Sequence, residues 1–384
     1  MQKSHYEILL DYCLGLNSPA DNTENLQKAQ PLFDEVNAQL VFELVDEVVG
    51  RTAEIGEAKR IVTRMLHSFT KPLNAVKRPF ERGFSYIEHI LEQNDKIVGV
   101  LDALKADVSR MNEPKFFESS KEKIAQEVQE VSTYVEHYED KENVLFPVIE
   151  KHLPNSRCLQ VMWSIHDDVR LTLKELNKVL LDPHVALGYV NTLLGRLFFD
   201  MYSMVFREEQ ILFPVIIKNL PREELLTLGI DQFSDGQASP YHDTATSKGK
   251  IDLITGNPTV TQLLHIFNTI PVDITLVDAS DRVVYFNTPQ HRIFARSKAV
   301  VGRMVQNCHP PESFAIVQNI IDSFRSKKRR EADFRITLKG RYILIRYVAL
   351  YDEDDTYAGT IEISQDITDI KNLKGEKRLL DWEA

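Results

Sequence analysis

The stretch Lys141–Pro154, KENVLFPVIEKHLP, returns as Glu208–Pro221, EEQILFPVIIKNLP. Lys141 answers Glu208, Glu142 answers Glu209 and Pro147 answers Pro214. Each copy follows a longer segment whose inward residues keep helical spacing: Asn94, Ile97, Leu101 and Leu104 in the first, His166, Val169, Leu173 and Leu176 in the second. A long helix followed by a helix ending near Leu-Phe-Pro cannot bury its apolar stripe alone. Two such hairpins therefore predict one antiparallel four-helix bundle over 79–221.

Upstream, Leu40, Phe42, Leu44, Val45 and Val48, then Ile61, Val62, Met65 and Leu66, recur at helical spacing. They predict an all-helical amino-terminal segment over 1–78, with no chemistry of its own and a surface for docking or dimerisation. Downstream, DQFSDGQASPYHDTATSKGK (231–250) is polar and lacks periodicity, which predicts a linker over 222–255. Beyond it come DITLVDASDRVVYFN (273–287), a helical stretch, and three strand-like runs, ADFRITLKG, RYILIRYVALYD and TYAGTIEISQDIT. Two strands, helices and three more strands predict an α+β domain with an antiparallel sheet over 256–372. A helical tail is expected over 373–384.

At 384 residues the chain exceeds one core of ordinary size. A formal charge of −11, with no basic helix-turn-helix pattern or zinc-finger spacing, argues against nucleic-acid binding. No signal peptide opens the sequence, and no apolar run approaches the roughly 18 residues of a membrane span, so the reading is cytoplasmic without a membrane partner. Cys13, Cys158 and Cys308 form no CxxC pair, consistent with a reducing compartment.

A bundle that holds a metal needs imidazole and carboxylate groups projecting inward from facing helices, and His at i with Glu at i+4 shares one face. Here HYEDKENVLFP, from His137, and IHDDV, around His166, resemble the hemerythrin-like (HHE) cation-binding family, whose hairpins read EHxxI and HxxxEExxLFP. The resemblance implies an iron site, di-iron or mononuclear. His137, His166 and Glu208 stand in matching slots, while Glu142, Glu209 and His89 stand within a turn of them. Asn94, Lys141 and Met204 occupy slots where the family pattern has His, Glu and His. One reading is a metal site that meets a small oxidant; the other is a polar interior held by ion pairs and hydrogen bonds. Because Lys141 and Glu208 are repeat equivalents, they are expected to form an ion pair, leaving room for at most one metal ion.

Residues 263–370, ending in EISQDITDIK, resemble a PAS domain. The resemblance implies a five-stranded antiparallel sheet against short helices, enclosing a pocket for a ligand, heme or flavin, and a tendency to sense and to dimerise. Cys308 and His309 are the candidate heme or cofactor ligands; the favoured alternative makes NCHPPES a turn between helices. Arg282, Arg292, Arg296 and Arg303 read as solvated surface charge, with a carboxylate-bearing ligand as the alternative. Joined hemerythrin-like and PAS regions imply a sensor or regulatory protein that responds to iron, oxygen, nitric oxide or redox state. Its output would pass through a protein partner, with homodimerisation through the PAS domain. The alternatives are a non-heme iron protein handling peroxide or nitrosative damage, and a metal-free interaction module.

Overall fold

A computed structural model describes residues 4–17, 22–75, 77–111, 117–182, 184–229, 251, 253 and 255–376. The chain divides into two compact units, an all-helical one up to about residue 237 and an α+β one beyond it. The expected linker lies mostly outside the described residues.

The helical unit opens with α1 (His5–Gly15), set by a capping box between Ser4 and Glu7, and α2 (Thr23–Ala29). Next come α3 (Ala38–Arg51), capped by Asn37, and α4 (Ile55–Leu73). The periodic residues singled out above lie buried on α3 and α4, Leu40 excepted. That stripe packs on the bundle, since α3 and α4 both contact α9 (Cys158–Val179). The amino-terminal segment is thus a layer of this unit. Asp46 on α3 accepts the Arg157 backbone N–H at 2.8 Å, and Lys59 on α4 pairs with Asp168.

The bundle is built as the repeat predicts. Its first hairpin is α5 (Ser85–Met111) followed by α6 (Phe117–Thr133), α7 (Glu136–Asp140), a π-helical segment Lys141–Leu145 and α8 (Phe146–His152). The second is α9 followed by α10 (Leu187–Arg207), a π-helical segment Glu208–Leu212 and α11 (Phe213–Asn219). Ile97, Leu101, Leu104, Val169, Leu173 and Leu176 are all buried, so the apolar spacing is the core stripe. A short helix, α12 (Arg222–Thr227), buries Leu225, so the first residues assigned to the linker are helical.

The α+β unit begins with α13 (Val260–Thr269), started by a capping box between Thr259 and Gln262. Five antiparallel strands follow: β1 (Asp273–Asp278), β2 (Val283–Phe286), β3 (Glu331–Leu338), β4 (Arg341–Tyr351) and β5 (Tyr357–Asp366), in the order β2-β1-β5-β4-β3. Helix α14 (Phe314–Arg325) buries Ile321 and Phe324 in two apolar clusters with Val277, Val283, Val300 and Ala349. Gly359 on β5 is obligatory, because a Cβ there would meet the Val277 carbonyl at 2.2 Å. The last helix, α15 (Thr368–Asn372), ends before the expected tail; residues 373–376 are irregular and 377–384 lie outside the described residues.

Candidate functional sites in the bundle and the sheet

Both π segments fall at the repeated positions, and proline explains them. Pro147 and Pro214 have no N–H for the carbonyls of Asn143 and Gln210, and a proline ring clashes with the i−4 carbonyl of a regular helix. A wider turn just upstream removes the conflict: Phe146 N–H bonds to Lys141 O and Phe213 N–H to Glu208 O, each five residues back. The extra residue in each turn helps to set the direction of Lys141 and Glu208.

Those two side chains meet in a direct ion pair with exposures of 1% and 0%. Glu208 Oε2 accepts from Asn94 Nδ2 at 3.0 Å, so both carboxylate oxygens are satisfied. With its amide nitrogen committed to Glu208, Asn94 presents Oδ1 to His137 Nε2 at 3.4 Å, which makes His137 the Nε2–H tautomer. Tyr138 packs over the pair, with Lys141 Nζ 4.6 Å from its ring centroid, and its ring stacks on His166 at 4.1 Å. Burial holds both His137 and His166 neutral, with the Lys141 charge adding to the effect.

The remaining candidate ligands are dispersed. His166 Nδ1 lies 2.7 Å from Glu142 Oε1, and Glu142 also takes a two-pronged contact from Arg170 at 2.9 Å. Glu209 is claimed by Arg78 at 2.9 Å, and Arg78 in turn reaches Asp95 at 2.5 Å. Met204, the repeat equivalent of His137, is buried. His89 lies on α5, half-buried, near enough to His137 and Asp140 to influence both electrostatically.

A di-metal centre does not fit this donor set. Among the described candidate ligands, His166 Nε2 is buried without a partner. Glu208, His137, Glu142 and Glu209 are engaged by Lys141, Asn94, Arg170 and Arg78, and an ammonium occupies the middle of the network. Among the described residues no group of three or more His, Cys, Asp or Glu is placed to hold a metal ion. The arginines are what the sequence reading missed, because Arg78 and Arg170 lie outside the repeated motifs.

In the α+β unit the inner face of the sheet, which carries the apolar residues Val277 and Ala349, also holds a buried polar patch. Cross-strand neighbours Thr275, Glu362 and Tyr347 form one row and Asp273 and Ser364 an adjoining pair, and all are buried except the partly buried Tyr347. The arginines read as solvated are largely inside: Arg303 is 7% exposed, and the side chains of Arg296 and Arg292 are 8% and 12% exposed. Only Arg282 is at the surface. The carboxylates of the inner face explain the difference. Asp273 lies 3.7 Å from Arg292 and accepts the N–H groups of Ile293 and Phe294, while Glu362 lies 3.7 Å from Arg296.

Cys308 and His309 do not act together. The Cys308 sulfur contacts the Met304 carbonyl at 3.7 Å and packs on the apolar cluster of Val277 and Val283. His309 places its Nε2, buried without a partner, within electrostatic reach of Glu362, Arg296 and Arg303. Arg296 Nε is likewise buried and unpartnered. The charged groups around His309, namely Glu362, Arg296 and Arg303, do not fit heme, which needs an apolar slot.

The chain thus joins a hemerythrin-type helical bundle and a PAS-type α+β domain. Comparison with known families names both parts: residues 85–216 are a hemerythrin HHE cation binding domain and residues 263–368 a PAS domain. No curated protein matches the chain. Similar solved structures include a C-terminal domain from Streptococcus mutans, with 27% identity over 33% of this chain and 97% of that one and a TM-score of 0.31. A PAS domain from Colwellia psychrerythraea shows 17% identity over 28% and 97%, with a TM-score of 0.22. A sensory box sensor histidine kinase from Vibrio cholerae shows 16% identity over 28% and 91%, with a TM-score of 0.23. Among the described residues no helix is long and apolar enough to cross a membrane.

Proposed function

We propose that this protein is a sensor or regulatory protein in which the PAS domain receives a small carboxylate-bearing molecule and the hemerythrin-type bundle is an ion-paired scaffold rather than an iron sensor. The observation that carries the reading is the pair of buried, unpartnered nitrogens, Arg296 Nε and His309 Nε2, beside Glu362. A guanidinium with an unused donor matches a carboxylate in shape and charge. An unsatisfied buried polar atom is destabilising by about 1–3 kcal/mol, so a molecule that bonds to it stabilises the domain. Output would then pass to a protein partner, with homodimerisation through the PAS domain; Phe334 and Ile336 on β3 are exposed apolar residues suited to such a contact.

The test is thermal melting of the full chain against a panel of small mono- and dicarboxylates at constant ionic strength. At least one should raise the melting temperature of the α+β unit, and Arg296→Gln should abolish the rise. A flat response across the panel, or a rise unaffected by Arg296→Gln, would overturn the reading.

A further inference from the structure

Arg207 closes α10 one residue before Glu208, yet it takes no part in the network around Lys141. It is 5% exposed. Its Nη2 donates to Thr63 Oγ1 on α4 at 3.3 Å, whereas Nε and Nη1 are buried and have no partner. Asp200, about two turns back along the same face of α10, influences it electrostatically without forming an ion pair. Burial pulls the guanidinium down to about 10, so it remains a cation at neutral pH. Beside it lies a cavity of about 30 Å³, walled by Phe42, Val62, Leu66, Cys158 and Met162, with Arg207 the one charged residue in its lining.

We propose that this cavity is a binding site for a small, weakly hydrated monovalent anion of chloride or bromide size, held by Arg207 Nε and Nη1. Three features select that class. A buried charge is strongly unfavourable unless it is compensated, and no carboxylate pairs directly with this one, Asp200 acting on it only at a distance. Water would satisfy the two N–H groups but leave the charge. Arg207 is the one charged group in an otherwise apolar lining, so a carboxylate-bearing metabolite would find no second polar group to orient it. Apolar walls penalise an anion that holds its hydration shell tightly, whereas a guanidinium is itself weakly hydrated. Burial pushes the Cys158 thiol up, so the sulfur stays neutral and does not compete as a thiolate. An anion here would tie α4 to the end of α10, where the second π segment begins. The site stands apart from the PAS reading and does not depend on it.

Bromide supplies the probe. Crystals of the full chain grown in sodium bromide should show an anomalous difference peak within hydrogen-bonding distance of Arg207 Nε and Nη1. In solution, sodium bromide should raise the melting temperature of the helical unit above that in sodium fluoride at equal ionic strength, saturably, and Arg207→Met should erase the difference. A solvent peak without anomalous signal would mean that water fills the cavity and would overturn the proposal. A bromide effect that persists in Arg207→Met would overturn it as well. The diffraction experiment needs no variant, so an Arg207→Met chain that fails to fold leaves the test intact.

Discussion

Lys141 carries its ammonium into the centre of the bundle, where its contacts are Glu208 and the ring of Tyr138. Lys141→Met should strand the Glu208 carboxylate and destabilise the helical unit by about 3 kcal/mol, because removing one partner of a buried pair leaves the other charge uncompensated. Adding Glu208→Met should recover most of that loss; urea denaturation of the two variants checks both. Asn94→His, Lys141→Glu and Met204→His together should rebuild the family ligand set and raise iron per chain, measured by elemental analysis. The histidines predict the pH dependence. Burial holds the His166 imidazole well below its ordinary range, so below about pH 6.5 the unfolded chain takes up a proton that the native state does not. Stability therefore falls with pH by up to about 1.4 kcal/mol per unit for that group. Asp167 and Asp200, raised to about 6 by burial, act in the opposite sense as pH falls from 6 towards 4, since the native state holds their protons first. His166→Gln should thus gain stability relative to the parent chain as pH falls from 7 to 5. Parallel curves for the two would refute a neutral buried His166.

The two π segments show at the scale of elements what the sequence carried and what it did not. Hairpin order, the core stripe and the Lys141–Glu208 encounter all follow from the repeat, because equivalent positions near a pseudo-twofold axis face one another. The π geometry is legible only in retrospect, from Pro147 and Pro214 sitting one turn beyond those residues. Asn94 stands out in the sequence as a departure, but nothing there marks it as the amide that joins Glu208 to His137. Arg78 and Arg170 were out of reach altogether, because spacing along one helix does not tell which cation from another helix reaches its carboxylates. The buried arginines of the PAS domain are hidden in the sequence for a related reason: charge in a sequence reads as surface, and the acidic residues that draw Arg292 and Arg296 inward lie on strands distant in the chain. If proline maintains the π turn, Pro147→Ala should let residues 141–145 close into a regular helix and rotate Lys141 away from Glu208. Helix propensity by itself favours alanine over an interior proline by about 3 kcal/mol. Loss of stability in Pro147→Ala, measured by thermal unfolding, would therefore show that the turn positions the pair; a gain would show that it does not.

At the scale of the whole molecule, each unit has the requirements for folding alone. The helical unit buries continuous stripes from α3, α4 and all four bundle segments. The α+β unit closes a five-stranded sheet, covers it with α14 and anchors the segment after β2 through Asp273 and Arg292. Residues 255–376 expressed alone should therefore fold with cooperative melting. Limited proteolysis of the full chain should cut first within residues 231–250, where the composition is that of a linker. Residues 135–148 and 274–284 should resist, since their backbones belong to the bundle core and to the paired strands β1 and β2. The two units should also respond separately to substitution. Lys141→Met should lower one melting transition and Arg296→Gln should alter the other, because changes that share no partners are additive within a few tenths of a kcal/mol. A single transition that shifts as a whole with either change would mean that the units unfold together, and that the polar stretch between them joins one cooperative structure rather than separating two.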